Sequence, residues 1–246
     1  MDALPKTVVV IPSFNEARRL NPSAFKRALV GRDWLHLLFV NDGSTDETAS
    51  LLERLRSEHP DRVTVLELET NRGKAEAVRR GLVRAFEEAP EVVGYWDADL
   101  STPLHELDDL LEHLVRDNLD LVLGSRVRLL GRSIERTPLR HLVGRGFATM
   151  ASVALRLPVY DTQCGAKLLR ATPELAEVLG TPFRTHWVFD VELLARLHDP
   201  GRWRVAEHPL GTWHDVAGSK IRPTDALVAL VDLAKIFGMV RKRGRR

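Results

Sequence analysis

Cysteine is almost missing from this chain: Cys164 is the only one in 246 residues. No internal disulfide can form, which excludes the small stapled scaffolds of secreted proteins and implies a reducing cytoplasm. Long apolar runs are missing too. A spanning helix needs ~20 consecutive apolar residues, and the nearest approach is the short segment from Gly146 to Leu155. The first residues, Met1-Asp2-Ala3-Leu4-Pro5-Lys6, lack the basic segment, apolar stretch and cleavage site of a signal peptide. Neither sign of charge is in large excess: a net charge of +2 leaves no electrostatic footprint for nucleic acid. No repeat, low-complexity segment or linker is visible.

What is present is the balance of a folded domain, with 44% hydrophobic and 28% charged residues and enough length for a core without staples. A single domain is expected over residues 1–240, followed by the basic run Arg241 to Arg246. That run is a solvated tail in the simplest reading. Preceded by the apolar segment Leu227 to Val240, it is also the feature expected to attract anionic lipid, giving peripheral contact with a membrane face.

Five short runs rich in β-branched or aromatic residues are expected to be buried strands: Thr7 to Ile11, Leu35 to Val40, Val63 to Leu68, Val92 to Trp96 and Leu119 to Leu123. Between them, helical spacing runs from Thr45 to His59, Lys74 to Glu88 and Pro103 to Arg116. The alternation predicts an α/β fold, a mostly parallel sheet with helices on both faces. The second half reads as a helix from Pro138 to Leu157, a hairpin through Leu168, and helices near Trp187 to His198 and Asp225 to Val240. Residues 1–125 are expected to bind a donor and 126–240 an acceptor.

In such sheets ligands gather beyond the carboxyl ends of the strands. The segments there are Pro12-Ser13-Phe14-Asn15-Glu16, Asn41 to Asp46, Asn71-Arg72-Gly73-Lys74, Asp97-Ala98-Asp99 and Gly124-Ser125-Arg126. Two loops dense in carboxylates beside one carrying lysine point to an ion site. Alternation along an extended segment puts Asp97 and Asp99 on one side, where hard oxygen ligands suit Mg2+ or Mn2+ bound with a diphosphate. The competing reading of Asp97-Ala98-Asp99 is a helix cap. Asp42 follows a strand in a glycine turn, and its carboxylate can accept a hydrogen bond from the N–H of a nucleotide base. Asn71-Arg72-Gly73-Lys74 precedes a helix, whose free N–H groups favour an anion. It is not a P-loop, because Leu68 stands where that motif needs its first glycine.

Taken together and in order, these segments resemble family 2 glycosyltransferases of GT-A (Rossmann-like) fold. Gly124-Ser125-Arg126, Asp161-Thr162-Gln163-Cys164-Gly165, Phe189 to Leu193 and Gly218-Ser219-Lys220 resemble the dolichyl-phosphate β-glucosyltransferases and, more distantly, the dolichyl-phosphate mannose synthases. The resemblance extends from about Thr7 to Lys235. It implies that Pro12, Asn15 and Glu16 form the nucleotide pocket, with Asp42 at the base, Lys74 near the donor, and Asp97 and Asp99 at the metal and sugar phosphate. It further implies that Ser125, Arg126, Arg136 and Arg140 receive an acceptor phosphate. Arg136 and Arg140, four apart, share one helix face, and guanidinium forks suit phosphate.

The function expected is a metal-dependent, inverting transfer of a hexose, from UDP-glucose, to a polyprenyl phosphate at the cytoplasmic membrane face. The alternatives are a hydroxyl acceptor, or GDP-mannose as donor. Asp99 and Asp190 are the catalytic candidates, and either Asp190 or Glu192 could serve as a base, although carboxylates two apart also suit an exposed helix face. A phosphate acceptor, with a second pKa near ~6, attacks without a base, whereas a hydroxyl needs one. The chain departs from the family pattern at Ala166, where phenylalanine is usual, and at His186, where arginine is usual. Cys164 is read as a small buried residue, not a nucleophile, and the five tryptophans as packing groups.

Overall fold

The computed structural model describes residues 4–135, 138–197, 203–216 and 223–243. Four strands of the expected kind open the fold, β1 (Thr7–Ser13), β2 (Leu35–Asp42), β3 (Val63–Leu68) and β4 (Val92–Trp96). They alternate with α1 (Pro22–Leu29), α2 (Thr48–Glu58) and α3 (Lys74–Ala85), and α4 (Glu106–Arg116) leads to β5 (Leu121–Ser125). The second half contributes β6 (Ser133–Ile134), α5 (Pro138–Leu155), β7 (Ala166–Arg170), α6 (Pro173–Leu179), α7 (Phe189–Leu197), β8 (Val205–Pro209), β9 (Thr212–Trp213) and α8 (Pro223–Arg243).

Seven strands make one sheet in the order β3-β2-β1-β4-β7-β5-β8, and β6 pairs with β9 beside it. All pairs are parallel except those of β7, which runs antiparallel to β4 and to β5. The expected hairpin through Leu168 is therefore a single strand inserted between two strands from the first half. Alternate residues serve opposite faces, as the pleat requires. Val8 and Val10 pack with α3, α5, α7 and α8 residues such as Val78, Leu155, Leu194 and Leu233, whereas Val9 and Ile11 pack with Phe25, Leu52 and Leu107 of α1, α2 and α4.

Helix α1 was not expected, yet its start is built by ordinary chemistry. The Asn21 side chain accepts from Ala24 N at 3.2 Å, and Pro22 occupies the first helical position, where its missing N–H costs nothing. Helix α6 starts the same way, on Thr172 and Pro173. Helix α8 reaches Arg243, so the basic run begins inside a helix. Residues 244–246 lie outside the described residues. Among the described residues, no helix is long and apolar enough to cross a membrane.

The strand order fixes where chemistry can occur. From β1 the chain moves outward to β2 and β3, then returns to β4 on the other side. That reversal opens a crevice at the carboxyl ends of β1, β2 and β4.

Candidate active site

Three loops meet at this crevice and hold one another. Asn15 has a left-handed backbone, φ 52°, and its side-chain oxygen accepts from Thr45 N at 2.9 Å while its own N–H donates to Ser44 Oγ at 3.0 Å. Glu16 N donates to Thr48 Oγ1 at 2.8 Å. The β1 loop is thus fastened to the start of α2. Pro12 lies within β1, opposite Val40.

Asp42 has a structural task that the sequence did not disclose. Its two carboxylate oxygens accept the N–H groups of Arg72, at 2.7 Å, and Gly73, at 2.8 Å, and the residue is buried. The β2 end therefore carries the loop that starts α3. Gly43 is required beside it. Its φ is +67°, and a Cβ there would lie 2.6 Å from Asn71 N.

Lys74, the first residue of α3, points back to β4: its Nζ is 2.5 Å from Asp97 Oδ1. Burial opposes the lysine charge, but Asp97 and then Asp190 outweigh it and hold the ammonium above its usual range. Asp99 Oδ1 accepts from Ser101 N at 3.0 Å in a local turn, and Leu100 between them takes a left-handed φ of 54°; the pair does not cap α4, whose start lies at Glu106 with His105 before it. Glu16 faces the pair. Its pKa is raised by burial first and, against the pull of Arg19, by the charges of Asp99 and Asp97. Glu16 Oε2 is buried with no hydrogen-bond partner.

Behind Asp97 stands the 161–165 segment. Asp97 N donates to Gly165 O at 3.0 Å, and a Cβ on Gly165 would overlap the Asp97 carboxylate. Gly165→Ala is accordingly expected to push that carboxylate off Lys74 and cut activity by about ten-fold or more, the scale of a misplaced catalytic group. Steady-state rates alongside thermal unfolding check this, since the fold should lose much less than the activity.

Asp190 and Glu192 are not exposed helix residues. Asp190 Oδ1 accepts from Lys167 Nζ at 2.6 Å and from the Tyr95 hydroxyl, deep under the crevice. Burial and then Asp190 push the Tyr95 phenol well above its usual range. Glu192 accepts from Arg184 N at 2.9 Å, from Thr185 N and Thr185 Oγ1 at 2.8 Å each, and pairs with Arg196. It is buried and fully engaged, and it pins the 184–185 turn to α7. Tyr95 and Lys167 were missed. A lysine inside the strand Ala166-Lys167-Leu168-Leu169 was the available signal, because charge in an apolar strand requires a partner.

Ser125 ends β5, buried, and passes its carbonyl to Leu210 N at 3.0 Å. Arg126 forms a fork with Asp161, Nε to Oδ2 at 2.6 Å and Nη2 to Oδ1 at 2.8 Å, and stands 5.4 Å from the Trp213 ring centroid. Arg136 lies outside the described residues, as does the side chain of Arg140 on α5. Cys164 is fully buried, and burial pushes its thiol up to about 11, which makes it unreactive. Among the described residues, the one group of three side chains tight enough to ligate a metal within 4.8 Å is Glu106, Asp109 and His208, on α4 and β8. Glu106 is already committed to Gly211 N and Thr212 N.

Comparison with known proteins agrees with this architecture. Residues 8–174 match the model of glycosyl transferase family 2. A dolichyl-phosphate beta-glucosyltransferase of Trichomonas vaginalis is 32% identical over 94% of this chain and 70% of its own length, and that of Dictyostelium discoideum is 29% identical over 93% and 72%. A mannosyltransferase from Pyrobaculum calidifontis, solved with GDP-Man and Mn2+, superposes with a TM-score of 0.67 at 22% identity, over 97% of this chain and 64% of its own. Glucosyl-3-phosphoglycerate synthase from Mycobacterium tuberculosis, solved with UDP, gives 0.68 at 21% identity, over 95% and 80%. The chain belongs to glycosyl transferase family 2 and is a nucleotide-sugar-dependent glycosyltransferase of GT-A fold.

Proposed function

We propose that this enzyme transfers glucose from UDP-glucose to the phosphate of a polyprenyl, dolichyl-like lipid, with inversion at the sugar carbon. The observation that carries the reading is the likeness to dolichyl-phosphate beta-glucosyltransferases over more than nine-tenths of the chain. The crevice is chemically suited to it. Pro12, Asn15 and Asp42 line the nucleotide side, and Asp42 contributes by holding residues 72 and 73 in place. Lys74 meets the donor diphosphate.

Asp97 and Asp99 would hold a divalent cation, Mg2+ or Mn2+. The fit rests on an all-oxygen donor set and on Glu16 Oε2, buried and unpartnered, on a side chain that feels both aspartates. Such a cation, when bound, draws negative charge from the departing nucleoside diphosphate. Ser125 and Arg126, with Arg136 and Arg140, receive the acceptor phosphate, Arg126 being oriented by Asp161. With a second pKa near ~6, that phosphate is largely dianionic at neutral pH and attacks in line without a base. The surroundings of Asp190 suit this chemistry, because a carboxylate locked to an ammonium and a phenol is badly placed to collect a proton.

A lipid acceptor also gives a use to apolar surface. Leu142, Val143, Val153, Leu230, Val231 and Phe237 are exposed on α5 and α8, and an apolar groove runs between those helices past Met150 and Leu233. This surface, leading into the basic residues from Arg241 onward, supports contact with the cytoplasmic face of a membrane.

Purified protein incubated with Mn2+ or Mg2+, polyprenyl phosphate and either UDP-glucose or GDP-mannose tests the reading. Acid-labile lipid-linked glucose is expected from UDP-glucose. Transfer only to a free sugar or other hydroxyl acceptor, or lipid product only from GDP-mannose, would overturn it.

A further inference from the structure

We propose that Lys74 is the resident cation of the carboxylate site, so that the free enzyme takes up a divalent metal only together with a diphosphate that draws the lysine away. The inference rests on the metal assignment made above and adds an order of binding to it.

The geometry gives three supports. First, Nζ of Lys74 lies 2.5 Å from Asp97 Oδ1, the contact distance of a full ion pair, on an oxygen that a metal would need. An ammonium and a dication cannot both sit against that oxygen without strong like-charge repulsion. Second, the pair can be exchanged. The two side chains are 45% and 31% exposed, so neither is sealed in by packing. The stem of Lys74 is flexible, but its backbone is anchored, because Asp42 grips the two preceding N–H groups. Lysine can therefore swing from a fixed base. Third, the carboxylate is held in place. Asp97 N donates to Gly165 O at 3.0 Å and its carboxylate fills the space where a Gly165 Cβ would lie, so the lysine is the movable member of the pair.

A metal arriving alone must displace the lysine with nothing to receive it. A nucleoside diphosphate arriving with its metal offers the ammonium a new anion beside the start of α3, where the helix dipole also favours negative charge. Displacement and donor binding then become one event. Lys74 thus acts twice, blocking the bare metal and gripping the donor.

Mn2+ binding followed by electron paramagnetic resonance, without turnover, tests this in wild type, Lys74→Met and Asp97→Asn. Without nucleotide, Lys74→Met is expected to bind Mn2+ on the order of ten-fold more tightly than wild type, the scale of removing one adjacent like charge. With UDP present the advantage should vanish, because the wild-type lysine then pays its way as a UDP ligand. Lys74→Met binding bare Mn2+ no more tightly than wild type would overturn the proposal, provided Asp97→Asn lowers Mn2+ affinity in the presence of UDP. Should Asp97→Asn leave that affinity unchanged, the metal assignment itself fails. Lys74→Gln, which keeps a polar side chain without the charge, should follow Lys74→Met.

Discussion

Asparagine at position 97 is expected to reduce sugar transfer by about 10²–10³-fold, the usual consequence of removing one group that stabilises charge in the transition state. The substitution keeps shape and volume. The backbone N–H of residue 97 still donates to Gly165 O, and the side chain is partly exposed, so the fold should be little affected. What disappears is one negative charge, which pairs with Lys74 in the free enzyme and would hold the proposed cation. Asp99→Asn should give a loss of the same order, and its turn is retained because an asparagine oxygen can still accept from Ser101 N. Measured kcat at saturating Mn2+ and donor, together with thermal unfolding curves, distinguishes the outcomes. Full turnover in Asp97→Asn would show that this carboxylate carries no part of the chemistry.

Much of this site could be read before the fold was seen, and the reason is local. β1, β2 and β4 are apolar runs ended by polar turns, and the parallel architecture places such turns together whatever the rest of the chain does. Asp97, Asp99, Lys74 and Glu16 were singled out for that reason. Roles that depend on contacts between distant segments were not legible. Asp42 was read as a base-binding group, and its hold on the next loop stayed hidden because its partners are N–H groups about 30 residues away, which nothing in Asn41 to Asp46 announces. The orientation of Arg126 was equally hidden, because its partner Asp161 lies 35 residues on. β7 was mistaken for part of a hairpin because its place between β4 and β5 is fixed by pairing on both edges, which a local pattern cannot express. α1 is a different case: Asn21-Pro22 was a legible start signal and was passed over.

The largest effect on stability is expected beneath the crevice. Lys167 and Asp190 are almost fully buried, their side chains 1% and 7% exposed, and each is the other's charge partner. Lys167 also donates to Cys164 O, which steadies the segment leading to Gly165 and Asp97. Lys167→Met removes the ammonium that touches Asp190 and leaves a buried carboxylate hydrogen-bonded to a phenol, a change that costs about 3–5 kcal/mol in comparable buried pairs. Asp190→Asn leaves the converse, an ammonium buried without its anion, and should cost a similar amount. For this reason the activity of Asp190→Asn alone cannot reveal whether Asp190 is a base. The double variant Lys167→Met/Asp190→Asn removes both charges and should regain most of the lost stability in urea unfolding, as neutral replacements of buried pairs commonly do. Its activity then becomes decisive. With a phosphate acceptor, turnover should recover to within about ten-fold of wild type, because that nucleophile needs no proton acceptor. A double variant that folds as stably as wild type yet remains as inactive as the worse single variant would instead make Asp190 the group that deprotonates a hydroxyl.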